Sequence, residues 1–111
     1  MNPRDHASLL DIAKAARLTI EFVADMGQPD FEADPKTQSA VLYQIAILGE
    51  AVKRLSPEFR SQYPEIPWSA MAGMRDKLIH DYEGVDVERV WLTVQSNIPS
   101  LLQFILPFLA D

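Results

Sequence analysis

The sequence predicts an all-α protein, a bundle of four main helices with short helical turns between them. Three observations lead there. Apolar residues recur at steps of three and four through most of the chain, the period of a helix face. Helical segments open on paired signals, an N-capping side chain followed by proline at Asp34-Pro35 and Ser56-Pro57 and a lone cap at Asp86. Only four glycines are present, with no internal repeats and no low-complexity tracts.

The first helix is expected from about Asp5 to Met26, with Leu9, Ile12, Ala13, Ala16, Ile20 and Val23 on its buried stripe. Gly27 stops it, and Gln28-Pro29-Asp30 reads as a loop. The second runs from the Asp34 cap to about Leu55. Val41, Ile45, Leu48, Val52 and Leu55 form one stripe, and Leu42, Ala46 and Gly49 add another beside it. A helix this apolar is either central or shared with a second subunit. A short helix follows from Ser56-Pro57 to about Gln62. Tyr63 to Pro67 is loop, because each residue before a proline is pushed away from helix. Trp68 to Met71 forms one turn, and Met74 to about His80 is helical. Asp86 caps the last helix, lined by Val90, Trp91, Val94, Ile98, Leu101, Leu102 and Ile105. Pro99 should kink or break it.

The chain has 111 residues, enough for a single domain over 1–111 with a modest core. Hydrophobic residues make up 48%, which excludes a disordered chain. There is no cysteine, so disulfide and thiolate chemistry are excluded. The longest apolar run, Ile98 to Ala110, carries Pro99, Gln103 and Pro107 and falls short of a membrane span. The first residues lack the apolar core of a signal peptide. A reducing cytoplasm is the expected location. The formal charge of −6 argues against a broad duplex-DNA surface. An acidic protein acting on RNA must concentrate its few cations or borrow them from a second subunit. The two histidines, His6 and His80, lie far apart, and no metal-ligand spacing or cofactor motif is present.

The run Arg75-Asp76-Lys77-Leu78-Ile79-His80-Asp81-Tyr82 carries most of the chemistry. Arginine clamps phosphate, and histidine moves protons near neutral pH. Cleavage of RNA needs a base for the 2′-OH, an acid for the leaving 5′-oxygen and positive charge on the phosphorane. His80 suits the first two tasks and Arg75 the third. On a regular helix residues five apart lie about 140° apart, so the two should not converge unless the helix ends near His80. Asp76 and His80, four apart, would share a face and let Asp76 orient the imidazole. Read alone, these residues also fit blander roles: a helix-end histidine, an Asp-paired arginine and a half-buried core Tyr82. Glu50 is either half of an ordinary helical pair with Arg54 or a buried carboxylate holding the motif arginine. Lys53, Arg54 and Lys77 read as solvated helix charges, with an RNA-contacting strip as the second reading. Trp68 and Trp91 read as core.

The chain resembles the HepT-like branch of the HEPN superfamily. The resemblance covers nearly the whole sequence. It runs through Arg4-Asp5, Asp11-Ile12, Asp34-Pro35-Lys36-Thr37-Gln38, the segment Gly49 to Leu55, Pro64-Glu65-Ile66-Pro67-Trp68, and Gly73-Met74-Arg75 leading to His80 and Tyr82, then Val90-Trp91. It implies a HEPN-type helical homodimer with the Arg-x4-His-x-Tyr motif at the two-fold interface. It implies the toxin of a type VII-like toxin–antitoxin system, an endoribonuclease cutting RNA, with transfer RNA the expected substrate, without metal or other cofactor. It also implies an MntA-type nucleotidyltransferase antitoxin that transfers AMP to the motif tyrosine, here Tyr82. One position departs from close relatives, which usually carry Asn where this chain has Asp76. The alternative is a catalytically inactive helical dimer that binds and regulates the nucleotidyltransferase. A third reading is a structural helical interaction domain with no nucleotide connection.

Overall fold

Each long helix starts where the sequence supplies a side-chain oxygen for its first free N–H groups. In this computed structural model, which describes residues 1–80 and 84–110, Asn2 Oδ1 accepts from the Asp5 N–H at 2.7 Å and opens α1 (Pro3–Phe22). Asp34 opens α3 (Pro35–Lys53), accepting from the Thr37 N–H at 3.1 Å and its hydroxyl at 2.8 Å. The Thr37 hydroxyl first, and then its N–H, hold the Asp34 carboxyl below its ordinary value. The stabilisation this gives is present above the ordinary carboxylate range and fades as pH falls through the lowered value. Ser56 opens α4 (Pro57–Gln62), and Asp86 opens α7 (Val87–Gln95) through the Arg89 N–H at 3.2 Å.

The remaining elements are α2 (Gln28–Glu32), α5 (Trp68–Ala72), α6 (Met74–Leu78), strands β1 (Ile79–His80) and β2 (Gly84–Val85), and α8 (Asn97–Leu109). The four main helices are α1, α3, α7 and α8, and the all-α bundle is the one the sequence predicts. Leu9, Ile12 and Ala16 of α1 meet Val41, Ile45, Leu48 and Val52 of α3 in the core, which Val90, Val94, Ile98, Leu101 and Ile105 complete from α7 and α8. All twelve side chains are at most 2% exposed, and burial of such aliphatic groups is the main stabilising term.

Several boundaries differ from the sequence-based ones. α1 ends at Phe22, with turns to Met26. The expected loop at Gln28 is the short helix α2. It forms because Asp30 accepts from the Gly27 N–H at 2.9 Å and because Phe31 is fully buried, 5.5 Å from the Trp91 ring. The break that Pro99 requires falls at Ser96. Proline lacks an N–H and its ring would clash with the carbonyl four residues back, so Pro99 sits in the first turn of α8, where no donor is needed. Val87–Leu109 is nevertheless long and apolar enough, by length and composition, to cross a membrane, which the sequence reading confined to Ile98–Ala110 did not find. In the bundle its apolar stripe faces α1.

One polar contact ties distant segments together. Asp5, only 3% exposed, accepts from the Ser56 N–H at 2.8 Å and the Ser56 hydroxyl at 2.6 Å. Ser56 Oγ in turn accepts from the Phe59 N–H at 3.1 Å. The start of α1 is thereby fixed to the start of α4, and Phe59 is directed into the aromatic cluster with Tyr63, Trp68 and Phe108. Replacing Asp5 by Ala strands two Ser56 donors and should lower stability by about 1–3 kcal/mol. Urea denaturation checks this; a variant as stable as the parent would mean that water replaces the carboxylate at no cost.

Candidate functional site

The candidate site begins with the seating of α5 and α6 on α3. At Gly49 an added Cβ would lie 3.0 Å from the Ala72 carbonyl oxygen, closer than a side chain tolerates without movement. A glycine here lets the α5 backbone rest directly on α3. This covers the part of the second apolar stripe of α3 that includes Gly49, so that part is an intrachain contact. Leu42 and Ala46 are half-buried, and Tyr43 beside them is 66% exposed.

From Gly73 the chain enters α6, with Met74 and Leu78 buried and Arg75, Asp76 and Lys77 turned outward. The helix stops at Leu78, two residues earlier than expected. Ile79 is already extended (φ −115°, ψ 121°), and the Leu78 carbonyl accepts from the Asp86 N–H at 2.9 Å. β1 pairs antiparallel with β2, Ile79 opposite Val85 and His80 opposite Gly84. Gly84 has φ +81°, a left-handed conformation that glycine adopts without steric cost. This small hairpin was not legible as a strand pair in the sequence. It brings Asp86 back to the end of α6 and starts α7 there.

The geometry corrects two expectations. His80 belongs to a strand, so it does not share a helical face with Asp76. Asp76 instead accepts from Arg75 Nη1 at 3.1 Å, and both side chains are exposed. Glu50 is not a buried carboxylate holding Arg75, nor is it paired with Arg54. It is exposed and accepts from Lys53 Nζ at 3.2 Å, while Arg54 reaches Asp11 at 3.3 Å. Lys53 and Arg54, three and four residues on, both lie on the Glu50 face; Lys53 takes the pair, and Arg54 is drawn instead to Asp11 of α1. Tyr82 lies outside the described residues, and His80 is placed by its backbone alone. Trp68 is core, its indole N–H donating to the Tyr63 carbonyl at 3.0 Å.

Behind α6 lies a recess of about 160 Å³ between α5, α6 and the α7–α8 junction, to which Lys77, Arg89, Thr93 and Asn97 contribute polar groups. Arg89 and Asn97 were not singled out from the sequence. Their signal was the return of the chain at Gly84 and the Asp86 cap, which carry α7 past α6. Among the described residues no group of His, Asp and Glu is arranged to hold a metal ion.

A helical bundle that carries an Arg-x4-His motif across the end of a short helix is the class these features define. Comparison with known proteins narrows it. The family model described as HepT-like, "Ribonuclease HepT-like", matches residues 12–107. A protein of Thermococcus cleftensis named "Probable ribonuclease HepT" is 50% identical over 99 residues, 88% of this chain and 90% of that one. Proteins named "Putative RNase" are also similar. One from Methanocaldococcus jannaschii is 40% identical, covering 95% of this chain and 87% of its own. Another, from Caldanaerobacter subterraneus, is 42% identical, covering 81% and 80%. No solved structure matches. The chain belongs to the HepT-like ribonuclease family of the HEPN superfamily.

The hairpin predicts a local test. Among the described residues beyond its chain neighbours no atom lies within 4 Å of a Cβ added at Gly84, yet Gly84→Ala imposes left-handed strain of about 1–2 kcal/mol. Amide hydrogen exchange at Asp86 should quicken relative to the α1 and α3 amides. Unchanged exchange would show that the hairpin tolerates a side chain at this φ.

Proposed function

We propose that the protein is the ribonuclease toxin of a toxin–antitoxin pair, cutting RNA with Arg75 and His80 and without a metal ion. One observation carries the catalytic part: α6 ends at Leu78. On an unbroken helix Arg75 and His80 would point about 140° apart. With Arg75 exposed on the last helical turn and His80 in extended backbone, that constraint is lifted. The names of the relatives, "Probable ribonuclease HepT" and "Putative RNase", support the same activity.

The reaction uses the substrate's own nucleophile. His80 takes the proton of the 2′-OH or gives one to the departing 5′-oxygen, and the Arg75 guanidinium holds the phosphoryl oxygens as charge develops on them. The Asp76 carboxylate at Arg75 leaves it on phosphate binding, because an exposed ion pair of this kind contributes at most about 1 kcal/mol. One His80 per chain cannot be acid and base at once, so a homodimer supplying two is part of the proposal. The substrate class is transfer RNA. Control comes from a nucleotidyltransferase antitoxin that transfers AMP from ATP to the Tyr82 hydroxyl, releasing pyrophosphate and placing a bulky anion beside the motif.

A second reading is favoured by the Asp76 contact alone. With its guanidinium already neutralised at 3.1 Å, Arg75 binds phosphate less well. The chain would then be an inactive dimer that docks on the nucleotidyltransferase and regulates it. Cleavage of total transfer RNA in excess EDTA separates the two readings. The parent protein, with Tyr82 shown to be unmodified by intact mass, should cut. His80→Ala should lose about 10²–10⁴-fold. Arg75→Lys should recover little, since an ammonium cannot reproduce the guanidinium fork. Cleavage that needs added Mg²⁺, or that survives in His80→Ala, would overturn the first reading. A silent, unmodified parent would favour the second.

A further inference from the structure

The chain carries ten lysines and arginines against sixteen acidic residues, yet four of those ten cations line one pocket. Arg4, Lys53, Arg54 and Arg60 surround a space of about 400 Å³ where the start of α1, the end of α3 and the start of α4 meet. None of its lining residues belongs to α6. We infer that this pocket is a second RNA-binding site, which grips a backbone phosphate away from the bond that is cut.

Three observations carry this. The first is convergence: cations from three elements are gathered by the Asp5–Ser56 contact, which fixes α1 to α4. The second is Arg60, whose Nε is buried without a hydrogen-bond partner among the described residues. A buried donor left unpaired is costly, and half-buried Arg60 has no carboxylate in ion-pair contact among the described residues, so its positive charge is uncompensated at the pocket. The third is the weakness of the competing pairs. Lys53 and Arg54 meet Glu50 and Asp11 in exposed contacts of 3.2 and 3.3 Å, which a phosphate can replace. Among the described residues Asp5 is the one carboxylate lining the pocket, and both its oxygens are taken up by Ser56. Guanidinium forks suit phosphate oxygens. An acidic protein that cuts RNA must hold the strand at more than the scissile phosphate, and single strands are gripped through clustered cations along the backbone. The inference rests on the ribonuclease reading above only for the identity of the polyanion.

The test uses a fluorescein-labelled single-stranded 2′-O-methyl RNA, which lacks the 2′-OH nucleophile, so that binding is read without cleavage. Anisotropy titrations at several salt concentrations compare the full chain with Arg4→Gln/Lys53→Gln and with a charge-matched control, Lys14→Gln/Lys36→Gln. All four side chains are exposed, so both variants should fold. The pocket variant should bind at least about tenfold more weakly, and its salt slope should fall by about 0.7, the loss of one phosphate contact on a single strand. The control should keep the parent slope. Equal losses in both variants, no loss in either, or no binding by the parent would overturn the inference. So would a change of oligomeric state confined to the pocket variant with RNA binding intact, which would assign the pocket to an acidic face of a second copy. Because the probe cannot be cut, failure here leaves the cleavage result standing, and a failed cleavage assay leaves this one readable.

Discussion

The hydrogen bond from the Asp86 N–H to the Leu78 carbonyl, 2.9 Å long, is the constraint on which the candidate site depends. It occupies the last buried turn of α6 with a donor from the following hairpin. α6 therefore closes at Leu78, His80 enters a strand, and α7 begins beside the end of α6. Arg75 stays on the helix as an exposed cation. On an unbroken helix residues five apart point about 140° apart, and the proposed joint role of Arg75 and His80 requires the helical repeat to end between them, as it does at Leu78.

That arrangement needs a firm base, which α3 supplies. Its close approach to α5 at Gly49 lets backbone rest on backbone, and Met74 and Leu78 then anchor α6 on the buried side. The exposed residues Arg75, Asp76 and Lys77 are thus presented from a short helix whose other face belongs to the core. Five residues would not hold a helix by propensity alone, so packing and the Asp86 bond do so. Just beyond the same end of α3 the Asp5–Ser56 contact performs the same service for α4, beside a cluster of four cations. In a chain of formal charge −6 such local gathering is the physical route to binding a polyanion.

The bundle was legible in the sequence because its signals are local and redundant. The stripe Val41, Ile45, Leu48, Val52 and the caps at Asp34, Ser56 and Asp86 each specify an element without reference to the rest. Pro99 likewise announced a break, which the backbone places at Ser96. What could not be read was tertiary. α2 exists because Phe31 finds Trp91 sixty residues away, and nothing near Gln28-Pro29-Asp30 says so. The early stop of α6 depends on an N–H eight residues on. Glu50 was misassigned because its nearer partner Lys53 and the pull of Asp11 on Arg54 were invisible without the packing of α1 on α3. The motif residues stood out by type and spacing, while the relation of Asp76 to them required knowing where the helix ended.

The central claim is that the 2′-OH of the RNA itself is the nucleophile, with Arg75 and His80 as the protein's contribution. The most direct measurement is the chemistry of the product ends. Mass spectrometry of the fragments should find a 2′,3′-cyclic phosphate, or the monophosphate formed when it opens, on one side of the cut and a free 5′-OH on the other. A 3′-OH paired with a 5′-phosphate would mean that water attacked the phosphorus directly, and would contradict the account.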